Sequence, residues 1–330
     1  MNKNAINPVA MKHRSTLLLT MALTALLTSV GLTAVSLRST LQKPEANLPQ
    51  TVNPLIGNLT LVLECSLPEV PTTVPRLKVT EPTIDEETAR VIAEKVFGLS
   101  VDSDLHGSFS FLDKHNGKTL YLSGMSSLLY FDDSHRRSGA IPSLPSAEEA
   151  VSIAYNFLEK LRKLFPKPED AQIILGEVFE AEISILSLPD GTEIGKIVYS
   201  IGVSFRQELY GIRLWGPGAD LSIWVANGKV VNAEIRQKWT HVDGYIEIIL
   251  APEEALKKLL RWETFGPQPL VGPLPTEGEI RIKSMELVYY ADLPSMQSYL
   301  TPCYRITCEV VGLLEGEPHQ VSFTALISAI

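Results

Sequence analysis

Cysteine is scarce in this chain: three residues in 330, Cys65, Cys303 and Cys308. A disulfide-stapled scaffold is thereby excluded, because such scaffolds need a dense and even cysteine set. Cys303 and Cys308 lie in one strand-like run. Their offset spans about 16 Å of strand, beyond disulfide reach, and an odd offset sends them to opposite faces. Three small hydrophobes is the plain expectation, and a bridge from Cys65 to one of the others is the alternative. Positive charge is also in short supply. Lys and Arg number 29 against 38 Asp and Glu, a net charge of −9. No basic patch or Lys/Arg helix face occurs, so nucleic acid is not an expected partner. Catalytic signatures are missing too. There is no zincin pair, phosphate loop, nucleophile elbow or dinucleotide fingerprint, which excludes those enzyme classes in their recognisable forms.

The densest polar region, His106, Asp113, His115, Asp132, Asp133 and His135, has the ligand types of a metal site. His115 falls in a Lys-His-Asn-Gly turn, however, and Asp132 to His135 resembles a solvated loop. No metal and no cofactor are expected. Glu177, Glu180 and Glu182 offer paired carboxylates, and the last two point the same way from a strand. An exposed strand face accounts for them.

The N-terminal part is rich in what the rest lacks. Lys12 and Arg14 precede an uncharged run over residues 15–37. A span needs roughly 20 apolar residues and a signal core about 7–15. The expectation is a transmembrane helix as anchor, with a cleaved signal as the alternative. Residues 1–14 are expected in the cytoplasm and the bulk of the chain outside it, at the cell membrane or secreted. Residues 38–82 are proline-rich and suggest a stiff tether, with Leu59 to Leu63 as a short edge strand.

Three helix starts follow. Thr83-Ile-Asp-Glu86 and Ser146-Ala-Glu-Glu149 have capping-box form, and Pro252 stands in a first turn after Ala251. Strand-like runs come after each. The expected fold class is α+β: antiparallel sheets each packed by a helix, in two or three repeated units over 83–145, 146–250 and 251–330.

The segment Val203 to Val230 punctuates a β-meander with a Tyr210-Gly211 turn, a Gly216-Pro217-Gly218 hinge and an Asn227-Gly228 hairpin. Its Phe205-x-Gln207-x-x-x-Gly211-x-x-x-x-Gly216 spacing, followed by a strand and Gly228-x-Val230, resembles the propeptide domain of thermolysin-type proteases and the related PepSY modules. Arg213 stands where a proline is usual. The C-terminal third, with Leu300, Pro302, Tyr304 and Arg305 in one strand, resembles YycI-like extracytoplasmic regulators. The two resemblances cover roughly 203–330. They imply a module that binds and regulates without chemistry, its partner a protease or a membrane sensor. By the propeptide likeness, which places partners against the sheet, Gln207, Arg213 and Trp215 are the partner-binding candidates. Trp224 and Trp239 are expected to pack the sheet. A membrane-tethered, non-catalytic binding protein is the functional expectation, with a secreted hydrolase and a structural envelope protein as rivals.

Overall fold

The computed structural model describes residues 58–99, 104–105, 108–113, 117–132, 141–186, 193–266, 273–275, 277–293 and 297–330. In chain order these form β1 (Asn58–Leu63), β2 (Thr73–Thr80), α1 (Glu86–Phe97), β3 (Asp104–Leu105), β4 (Ser108–Asp113), β5 (Lys118–Ser123), β6 (Ser127–Asp132) and α2 (Ala147–Arg162). Then come β7 (Ala171–Leu186), β8 (Glu193–Leu209), β9 (Ile212–Trp215), β10 (Leu221–Ala226), β11 (Lys229–Arg236) and β12 (Trp239–Glu247). The chain closes with α3 (Pro252–Leu260), β13 (Glu277–Tyr290), β14 (Thr301–Leu314) and β15 (Glu317–Ser328).

Strand β8 is the spine. Strand β7 pairs along one of its edges. Its other edge is shared. Near the turn it pairs with β9 through Glu208–Arg213 and Leu209–Ile212, and further back with β10 from Phe205–Leu221 to Ile201–Val225. Strand β9 passes to β13, which continues to β14 and β15. Strand β10 passes to β11, β6, β5, β4 and β3. The sheet therefore forks, with one arm on each side of the 216–220 hinge. Strand β1 pairs in parallel with the free stretch of β13.

This overturns the expected α+β arrangement. Three helices stand against fifteen described strands, and thirteen of those strands belong to one mixed sheet. Separate helix-on-sheet units do not form, because α1 and α2 cover the same arm. The buried faces Ala89, Ile92, Ala93, Phe97 and Ala150, Ala154, Phe157, Leu158, Leu161 repeat at helical spacing and enter one core with Leu120, Leu128, Val203 and Ile223. Helix α3 covers the other arm through Ala255, Leu256 and Leu259. Between them, the two-stranded sheet β2–β12 sets Val74 and Leu77 over Leu209, Leu214 and Tyr289 beneath the fork. Pro75 is tolerated in β2 because a two-stranded ladder leaves an edge that needs no donor. Its carbonyl accepts from the Tyr289 hydroxyl at 2.6 Å.

The expected transmembrane helix is also corrected. No helix of the described residues is long and apolar enough to cross a membrane. The apolar run at 15–37 lies outside the described residues, as do His106, His115, Asp133 and His135.

Local signals held well. Ser146 and Glu149 make both bonds of a capping box, and Pro252 occupies the first turn of α3. The cap of α1 moves by two positions. Asp85, not Thr83, accepts from the Thr88 N–H at 2.7 Å, and left-handed Gly98 ends the helix.

Candidate functional site: the cleft in the sheet fork

The fork is encoded between Tyr210 and Leu221. Tyr210 and Gly211 have φ of 53° and 75°, the left-handed pair that a tight hairpin turn requires. Strand β9 then meets the hinge. Gly216 has φ 125°, and a Cβ there would lie 2.4 Å from the Ala291 carbonyl oxygen. A Cβ on Gly218 would lie 1.9 Å from that of Asp292. Only glycine allows the hinge to press this closely on the end of β13. The approach is fixed by Ala291 N–H donating to Trp215 O at 2.8 Å and Gly218 N–H donating to Ala291 O at 3.0 Å. Lys238, itself buried, passes beneath Gly218 and donates from Nζ to Leu293 O at 3.2 Å.

Strands β9 and β10 diverge from β8 on either side of Gln207. Its side chain is buried and fills the gap from the helix-covered face. Nε2 donates to Ala219 O at 2.8 Å and to Arg236 O at 2.6 Å. On the opposite, open face lies a cleft of about 430 Å³. Its walls are Glu177, Ser204 and Arg206 on one side, Arg213 and Trp215 on another, and the 216–222 segment on the third.

Alternation places the charges. Leu214 points to the core beside Tyr289, so Arg213 and Trp215 point to the opposite face with Glu286, Val288 and Tyr290, where Val288 and Tyr290 are buried with Cys303 and Leu326 and Trp215 packs at their edge. Arg305 is directly opposite Glu286 across β13–β14. The two guanidiniums converge on one atom: Nη1 of Arg213 donates to Glu286 Oε1 at 3.1 Å, and Nη1 of Arg305 to the same oxygen at 2.5 Å. Trp215 stacks on Arg305, with the guanidinium carbon 5.5 Å from the ring centroid. Burial is the main cause of an Arg213 pKa below the ordinary guanidinium value. Glu286 opposes the shift, and the charges of Arg305 and Arg206 add to it.

Of the three sequence-derived candidates, the structure brings Arg213 and Trp215 together on the cleft wall and buries Gln207 beneath it. Glu286 and Arg206 were not singled out by sequence, and Arg305 was named only for the YycI-like resemblance, not as a site residue. Arg305 lies in a run whose alternation, Tyr304 inward and Arg305 outward, carries a signal for its exposure.

The Ser204 hydroxyl accepts from Glu177 N–H at 2.8 Å inside a bulge of β7. No histidine or cysteine is among the described residues lining the cleft. All three cysteines are free thiols. Burial pushes the Cys303 thiol far up, and that of Cys308 to about 12. Asp132 is buried and pairs with Lys229 at 2.8 Å, and Glu182 pairs with Lys196 at 3.2 Å. Among the described residues no group of three or more His, Cys, Asp or Glu is placed to hold a metal ion. Trp239 is half-buried and donates from Nε1 to Met125 O at 3.0 Å, while Trp224 meets Phe179 edge-on at 6.4 Å.

Against known proteins, no family model and no curated protein matches the chain.

Proposed function

We propose that the chain is a non-catalytic binding protein, exported by its N-terminal leader, and that a protein partner docks at the sheet fork. The observation that carries this is the pairing of Arg213 and Trp215 at the mouth of the cleft. Trp and Arg are the side chains that most often anchor an interface. Here they stand on a short strand held on one edge by β8 and on the other by β13. Such a support keeps both in place before a partner arrives, which lowers the ordering cost of association. Ser204 is held by its bulge contact and Arg213 by its ion pair with Glu286, an arrangement suited to recognition. A protease or a membrane sensor outside the cytoplasm is the partner class that the propeptide resemblance implies.

Crosslinked capture from membranes, using the full chain, tests this. The wild type is expected to retain a partner, and Arg213→Glu combined with Trp215→Ala to lose it while still unfolding cooperatively. Capture that survives the double change in a folded protein places the interface elsewhere. Turnover of a peptide, ester or glycoside panel that tracks the protein through purification overturns the non-enzyme assignment.

A further inference from the structure

The charges around the cleft do not balance locally. Glu286 Oε1 serves both Arg213 and Arg305. The Nε atoms of both arginines are buried and meet no acceptor among the described residues. On the strand walls Arg206, Arg213 and, behind them, Arg305 stand against Glu177 and Glu286, and the carboxylate that balances them, Asp220, lies across the cleft on the hinge wall. The hinge wall has the reverse excess. Arg236 alone answers both Glu234, at 2.6 Å, and Asp220, at 3.8 Å, while also donating to Pro217 O.

We infer that the cleft binds a single carboxylate presented by a peptide, either an acidic side chain or a chain end, against Arg213 and Arg206. The inference rests on the fork being the partner site and names the chemistry recognised there. A carboxylate is planar and takes two parallel donors from one guanidinium, so it fits a surplus arginine better than any neutral group. A cleft of about 430 Å³ holds one side chain with its flanking backbone. The Trp215 ring forms an apolar shelf for that backbone. Asp220 and Glu234 repel a second anion, so the site selects one carboxylate over an acidic run. Glu286 acts as a resident competitor, because it holds the donors that the incoming group needs.

The test is fluorescence anisotropy on the purified full chain with three labelled hexapeptides. One is blocked at both ends and carries one glutamate. The second is its glutamine counterpart. The third is the glutamine peptide with a free terminal carboxylate. The glutamate peptide, the free-ended peptide or both are expected to bind at least about tenfold more tightly than the blocked glutamine peptide, the size of a lost charge-assisted contact; which of them binds identifies the source of the carboxylate. Arg213→Gln is expected to erase the difference. Glu286→Gln is expected to tighten carboxylate binding, an outcome that a purely structural role for Glu286 does not produce. Equal binding of all three peptides, or no tightening on Glu286→Gln in a folded protein, overturns the inference. If no peptide binds while the Arg213→Glu, Trp215→Ala protein still loses its partner, the carboxylate is wrong and the docking site stands. If capture also persists in that protein, both fall.

Discussion

Gln207 reaches across the fork to Arg236, its amide nitrogen 2.6 Å from the backbone oxygen. The same nitrogen donates to Ala219 at 2.8 Å, and the residue is only 2% exposed. At this point β8 has lost β9 and has not yet gained β10. One side chain supplies the hydrogen bonds that a continuous strand pair would have made.

Replacing Gln207 by Leu keeps most of the volume and leaves two carbonyls unanswered. A loss of about 1–3 kcal/mol is expected, the usual cost of an unsatisfied buried polar group. Urea unfolding measures it. A variant as stable as the wild type shows that the amide does not clamp the fork.

The two glycines of the meander should differ. Gly211 has φ 75° with open space around its Cβ position, so Gly211→Val costs only backbone strain, about 1–2 kcal/mol. Gly216 adds a collision with the Ala291 carbonyl to its positive φ, so Gly216→Val is the more damaging change. Thermal midpoints of the two purified variants decide this. Equal losses contradict the close approach of hinge and β13.

Lys238 gives a pH signature. Burial is the main cause of its lowered pKa, and Asp292 and Glu81 oppose the shift. The native state therefore binds its proton less well than the unfolded chain, and the charged lysine costs stability at neutral pH. That cost is full below the depressed native value and disappears above 10.5, the ordinary lysine value. Lys238→Met retains the contact under Gly218 without the charge. Its melting temperature relative to wild type is expected to fall as pH rises from 7 into the alkaline range. A difference independent of pH removes the buried charge as the cause.

Export has a direct test. A reporter active only in the cytoplasm, fused after Ile330, should be silent in cells. A bright cytoplasmic signal sinks the placement of the chain beyond Lys43 outside the cytoplasm.

The sequence was most informative where physics is local. The left-handed pairs at Tyr210-Gly211 and Asn227-Gly228, the Ser146–Glu149 box and the alternation of β10 depend on neighbours within a few residues. Pairing partners were not legible. Strand β13 runs parallel to both β1 and β9, which lie far away in the chain and carry no mark of that register. An expectation of separate antiparallel sheets followed from short-range connectivity alone. At the site, the propeptide likeness singled out Arg213 and Trp215, which the structure sets on one wall of the cleft. The convergence of Arg305 and Glu286 on them depends on the β9–β13 pairing, so sequence had no access to it. Gln207 was misleading for a related reason. A glutamine in a strand reads as a surface residue unless the carbonyls that require it are known.

The forked sheet also has a mechanical meaning. The strand ladder from β15 to β3 passes through β8 between Ile201 and Leu209. That stretch is a keystone, and neither arm can shift its register without loading it. The cleft opens directly on this shared span, with Ser204, Phe205 and Arg206 of β8 in its lining.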